Sequence, residues 1–320
     1  MSEGGREDEI QAVTEAHSEL PVAPVPLVLV NEPLGVEPPS FAFLESLPLR
    51  PMPRTPNFAD AVLFGVFMLA GLLVTIVLLG LSAHYHWLGL GDLEQAVSKT
   101  WLALTSQLLI YAIGLAIAIP FFRTMWGKPY FAGLHWHAAT AKRLALRLLG
   151  CAVLCNVLAM LGDYILPFPE HAPIDKMFST QTDAWMLTFF GIFLAPFFEE
   201  MIFRGFLLPA MATAWDWGIE RATGTLSKGL DADGQPVWSP GAMAFAAMVV
   251  SVPFALMHSA QLGQAWGPLL LLYCVSLVLC TVRLVTRSLA ASTLVHSIYN
   301  AILFGIMLVE TGGFRHLDKI

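Results

Sequence analysis

Residues 61–81 read AVLFGVFMLAGLLVTIVLLGL, an unbroken apolar run with no charged side chain. At about 1.5 Å per residue, a helix of that length reaches roughly 30 Å, the thickness of a bilayer's hydrocarbon core. The run predicts a transmembrane helix. The whole chain has the same character: 56% of its 320 residues are hydrophobic and 13% are charged, against roughly 25% charged in soluble domains. Mean hydropathy is +0.66. So little polar surface could not cover a globular cytosolic enzyme, and a disordered protein is excluded for the same reason. A net charge of -7 leaves no basic footprint for nucleic acid.

Further apolar runs follow. Spans are expected at Trp101 to Phe122, Leu144 to Leu161, Gly241 to Ser259, Trp266 to Val285 and Leu289 to Val309. Between them, Trp185 to Trp215 is apolar except for Glu199, Glu200 and Arg204, and it carries Pro196 and Pro209. Fully helical, it would reach roughly 45 Å, so it must tilt, kink or project. A turn-rich loop, Asp216 to Pro240, comes next. The fold expected is all-α, a polytopic transmembrane bundle of about seven or eight spans. Residues 1–57, acidic and then rich in proline, read as a disordered tail, and their acidic start argues against a cleavable signal. Arg50, Arg54, Arg123, Lys128, Lys142, Arg143, Arg221, Lys228, Arg283 and Arg287 fall on one side of alternating spans, which predicts a cytoplasmic N-terminus. Arg315 and Lys319 break that pattern. Cys151, Cys155, Cys274 and Cys280 lie in apolar runs and read as packing residues. The pairs His84/His86 and His135/His137 sit at span edges and read as interfacial polar residues rather than metal ligands.

A charge at mid-membrane costs about 2.5–3.5 kcal/mol on insertion scales, so ionisable groups inside apolar helices point to function. Glu200 and Arg204 are four apart, share a helix face and can pair. Glu199 points about 100° away, and a structural salt bridge does not explain it. Phe254 and His258 lie one turn apart late in the fifth span. His296 and Asn300 share a face of the seventh. Singly, each histidine is explained by interhelical hydrogen bonding; together the set can activate water and bind an oxyanion.

These motifs, EEMIFR (Glu199 to Arg204), FALMH (Phe254 to His258) and HSIYN (His296 to Asn300), resemble in type and order those of the CPBP intramembrane proteases. That family includes the type II CAAX prenyl endopeptidases and bacterial Abi proteins. The resemblance implies a catalytic membrane core over residues 184–309, preceded by N-terminal spans over 58–183 and followed by a short tail, 310–320. It implies hydrolysis of a peptide bond in a membrane-associated, prenylated or CAAX-like substrate. Glu199, helped by His258, would take a proton from water. His296 and Asn300 would stabilise the oxyanion, and Arg204 would hold Glu200. No cofactor is expected; zinc held by one glutamate and two histidines is the alternative, and a proton- or ion-coupled transporter is a second. The expected partners are a membrane protein or peptide substrate and the lipid bilayer, with no nucleic acid. The expected location is a membrane crossed several times, the cell membrane in a bacterium.

Overall fold

The computed structural model describes residues 54–87, 99–169, 172–225, 228–232 and 234–319. Most of the expected N-terminal tail lies outside the described residues. Its last residues do not: Arg54 is buried, and its guanidinium meets Glu220 at 2.7 Å and Asp216 at 3.8 Å. The sequence reading put Arg54 to Asn57 in the tail, but ion pairing to a distant helix fixes them to the bundle. Asn57 then caps the first helix, accepting from the Ala59 and Asp60 amides, while the Asp60 carboxylate accepts from the Asn57 amide.

Among the described residues, six helices are long and apolar enough to cross a membrane. They are α1 (Phe58–His84), α2 (Thr100–Trp126), α5 (Ala145–Ile165), α6 (Gln181–Thr223), α8 (Trp266–Thr286) and α9 (Leu289–Glu310). Between α2 and α5 lie the short α3 (Tyr130–Gly133) and α4 (Ala138–Arg143). A shorter apolar helix, α7 (Pro240–Leu256), completes the bundle. No strand occurs among the described residues; Leu230 and Pro236 form an isolated bridge. The architecture is the all-α bundle expected, with seven apolar helices among the described residues.

Two boundaries differ from expectation. The fifth span was expected to reach Ser259, but α7 ends at Leu256 and the chain continues through turns that carry His258. At 17 residues α7 is about 25 Å long, short of the roughly 30 Å core. The fourth segment is longer than its apolar run. α6 has 43 residues, about 65 Å if fully helical. Its polar end stays helical because Asp216 and Glu220 are held by Arg54 and because Asp216 also accepts from Ser239, the N-cap of α7.

Lipid exposure explains the outward faces. Val62, Val66, Leu69, Leu73, Ile76 and Val77 of α1 are all exposed, an arrangement stable only against hydrocarbon. Inward, helices touch through small residues. A Cβ on Gly71 of α1 would sit 2.5 Å from the Ile110 carbonyl oxygen of α2, so only glycine allows that approach. Around the centre, α9 packs on α5, α8 and the middle of α6. Phe203, Phe254, Val275, Leu279, Val295 and Tyr299 are buried there in one cluster.

Candidate active site

The middle of α6 is not a uniform helix. Phe190–Leu194 and Met201–Leu207 are π-helical, and the Ala195 and Leu208 amides reach back five residues, to the Phe190 and Phe203 carbonyls. Each wide stretch ends just before a proline, Pro196 or Pro209. A proline has no amide to give and crowds the carbonyl four residues back, so the preceding turn widens. Glu199 and Glu200 close the α-helical stretch Ala195–Glu200, between the two wide turns.

Glu200 and Arg204 are both fully buried. The Arg204 Nη1 donates to Glu200 Oε1 at 2.9 Å. Its Nη2 donates to the Ser276 carbonyl at 3.1 Å and to Ser276 Oγ at 2.6 Å. The guanidinium lies 4.4 Å from the Phe254 ring centroid, within cation–π range. Glu200 is therefore an anchored ion. Its Oε1 also lies 3.1 Å from His296 Nδ1, which brings α9 into the cluster.

His296 joins the two carboxylates. With Nδ1 on Glu200, its Nε2 is turned toward Glu199 Oε2, 3.7 Å away. Glu199 keeps 8% of its surface and has no arginine partner among the described residues. The residue before it, Phe198, stacks on buried Tyr111 of α2 at 3.9 Å between centroids. Fixed by its neighbours but not neutralised by them, Glu199 is the less compensated carboxylate.

The two remaining motif residues stand around this core. His258, half-buried beyond the end of α7, has Nδ1 2.9 Å from the Phe254 carbonyl. Its ring and that of His296 flank the Phe254 ring, at 5.3 Å and 5.8 Å. Phe254 thus contacts both imidazoles and the Arg204 guanidinium. Asn300 lies one turn from His296 and donates to the Gly191 carbonyl at 2.7 Å, in the first wide turn of α6. No bond joins Asn300 to either glutamate among the described residues. Sequence reasoning missed Ser276 and Gly191. The one serine in the apolar run LLLLYCVSLVLC was the available signal for Ser276; nothing local distinguished Gly191.

Compared with known proteins, residues 181–302 match the model of a family described as Type II CAAX prenyl endopeptidase Rce1-like. This stretch is an Rce1-like domain. It holds Glu199, Glu200, Arg204, Phe254, His258, His296 and Asn300, and it runs from the start of α6 into α9. No curated protein and no solved structure matches the chain. The Rce1-like domain and the long apolar helices make this an integral multi-pass membrane protein of the intramembrane endopeptidase kind.

Proposed function

We propose that the protein hydrolyses a peptide bond of a membrane-associated, prenylated CAAX-type substrate, with Glu199 as the base that activates water. The observation that carries this reading is the unequal environment of the two glutamates. Arg204 and His296 hold Glu200, while the ion-pair contact of Glu199 among the described residues is to the far nitrogen of the same imidazole. Glu199 Oε2 takes a proton from water as the water oxygen bonds to the scissile carbonyl carbon. The proton then passes to the departing amine as the C–N bond breaks. A positioned base contributes about 10²–10⁴-fold. Glu200 orients His296, so that Nε2 is the imidazole atom left for the reacting centre. His258 helps to hold the water, and His296, carrying a proton on Nε2 as well as on Nδ1, donates to the oxyanion together with the second amide N–H of Asn300. Losing one such donor costs about 10²–10³-fold.

Zinc chemistry would need three converging ligands and an open position. Among the described residues no three His, Cys, Asp or Glu side chains are grouped so as to hold a metal ion. The test uses purified full-length protein, a farnesylated CAAX peptide and the same peptide without farnesyl. Glu199→Gln should lose at least about 10²-fold in turnover and still bind substrate. Glu200→Gln should lose less. A folded but inactive Glu200→Gln beside an active Glu199→Gln reverses the two roles. Cleavage of neither peptide by the parent protein removes the substrate class.

A further inference from the structure

Away from the Glu199 cluster, a recess opens where α2 and α8 end and α9 begins. Its wider part, about 570 Å³, is lined by Lys128, His135, His137, Gln235 and Arg287, with Thr286 at its edge. A smaller part, about 80 Å³, shares His135, Gln235 and Arg287 and reaches inward to Arg283, Trp238 and Met243.

The recess is built from three segments fastened together. The Leu289 amide donates to the His135 carbonyl at 3.0 Å, and Ser288 Oγ donates to the His137 carbonyl at 3.0 Å. Gln235 Nε2 lies 3.1 Å from His137 Nε2. His135 and Arg287 both hold left-handed backbone, at φ 56° and 52°. Residues with side chains adopt that conformation at a cost, and such strain gathers at binding sites.

Two buried polar groups in the walls lack partners. Arg283 is 3% exposed, its Nε is unpartnered, and no hydrogen bond or ion pair joins its guanidinium to another described residue. Glu200 lies within electrostatic reach of it but is held by Arg204 and His296. His135 is 4% exposed and its Nε2 is unpartnered. Burial, then the nearby Arg283, Lys128 and His137, push its imidazole down to about 3, so the ring is neutral. The ring hydrogen-bonds to the Thr55 backbone, which leaves Nε2 as the unpartnered nitrogen. Of the cations in the walls, Arg287 is compensated by Asp231. Among the described residues Lys128 has no ion-pair partner, Arg283 has only the field of Glu200, which Arg204 and His296 already hold, and no carboxylate lines either part of the recess.

A guanidinium withdrawn from water without a counter-charge is costly unless the counter-charge arrives with a ligand. The donors here are the Arg283 fork, the Lys128 ammonium and the Gln235 amide. A tetrahedral phosphate presents acceptor oxygens in more directions than a carboxylate, which offers only two. We propose that this recess binds a phosphate group. Its place at the ends of apolar helices, with Trp126, Trp136 and Trp238 nearby in sequence or in the wall, fits the headgroup of an anionic lipid.

The experiment measures the Tm of the purified full chain, of Lys128→Gln and of Arg283→Gln. Each is measured in detergent with and without inorganic phosphate, in phosphatidylcholine vesicles, and in vesicles of equimolar phosphatidylcholine and phosphatidylglycerol. The parent should gain roughly 5–10 °C at a ligand level on the order of 100 Kd. Both variants should lose most of that gain. Arg283→Gln should be no less stable than the parent without ligand, because it removes an uncompensated buried charge. A gain with phosphatidylglycerol alone identifies a lipid source, and a gain with inorganic phosphate identifies a free one. No gain in the parent from either source overturns the proposal, and so does a gain that both variants keep. An Arg283→Gln that is destabilised equally with and without ligand also overturns it, since Arg283 would then be a structural ion.

Discussion

Replacing Arg204 by alanine removes three sets of contacts at once. The ion pair to Glu200 at 2.9 Å goes, the two bonds to Ser276 go, and so does the guanidinium 4.4 Å from the Phe254 ring. The deciding effect is what stays behind. Glu200 has no solvent exposure, and without Arg204 it keeps His296 and the Ser292 hydroxyl as partners, with Arg283 within electrostatic reach. Breaking a buried pair in this way costs about 3–5 kcal/mol, more than the pair is worth against a well-packed apolar replacement. At about 2–4 °C per kcal/mol, Tm should fall by roughly 6–20 °C. The double variant Glu200→Gln/Arg204→Met removes both charges and keeps much of the volume. Its amide can still meet His296, so it should recover most of the lost stability, with a coupling energy toward the upper end of about 0.5–3 kcal/mol. Thermal unfolding in detergent, followed by tryptophan fluorescence, measures all three proteins and the Glu200→Gln single variant. If the double variant is as unstable as Arg204→Ala, the orphaned carboxylate is not the cause. If Arg204→Ala falls within about 1 kcal/mol of the parent, the pair is not the anchor described.

Ser276→Ala removes the 2.6 Å bond to Arg204 but leaves the backbone carbonyl bond, so it should cost about 1.5–3 kcal/mol and lower turnover without abolishing it; denaturation and steady-state kinetics check both parts. Gly191→Ala would place a Cβ 2.5 Å from the Phe304 ring, beside the carbonyl that Asn300 binds. Overpacking of this kind costs about 1–3 kcal/mol, and kcat should drop more than KM rises. Unchanged kinetics in a destabilised Gly191→Ala would separate Asn300 from the reaction. Pro196→Ala restores an amide to α6 and should hold or raise Tm while lowering turnover, and full activity would show that the wide turn before it has no bearing on the site.

Much of this was legible because it is local. Four residues along a helix give one face, so the Glu200–Arg204 pair and the separate direction of Glu199 followed from spacing. The apolar runs gave seven helices because lipid contact demands apolar surface on every outward position, as on α1. What spacing could not give was contact between helices. Ser276 meets Arg204 across 72 residues and Gly191 meets Asn300 across 109, and no periodicity relates such positions. His258 was placed inside a span because Phe254 to Met257 continue the apolar pattern. The helix instead ends at Leu256, and turns follow that use left-handed backbone at Gly263 and Gln264. Arg54 was assigned to the tail by its proline-rich surroundings, although its partners, Asp216 and Glu220, are more than 160 residues away in the chain.

The prolines tie these levels together. Pro196 and Pro209 read in the sequence as residues that a membrane helix tolerates. In the fold each follows a turn widened to five-residue hydrogen bonds. A uniform α-helix over 190–207 would keep every carbonyl bonded four residues ahead, apart from those the prolines release. The wide turn at Phe190–Leu194 instead leaves the Gly191 carbonyl to Asn300 of α9. The second, Met201–Leu207, carries Arg204 toward Ser276 of α8 while Glu200, at its edge, still faces His296. Two backbone irregularities in one helix thus serve three helices: α6 supplies both carboxylates, α8 fixes the arginine that neutralises one of them, and α9 brings the imidazole between them. Extra residues per turn rotate the faces on either side of Glu199 and Glu200. Adjacent carboxylates can then stand in different surroundings within one helical turn, one anchored and one left to react.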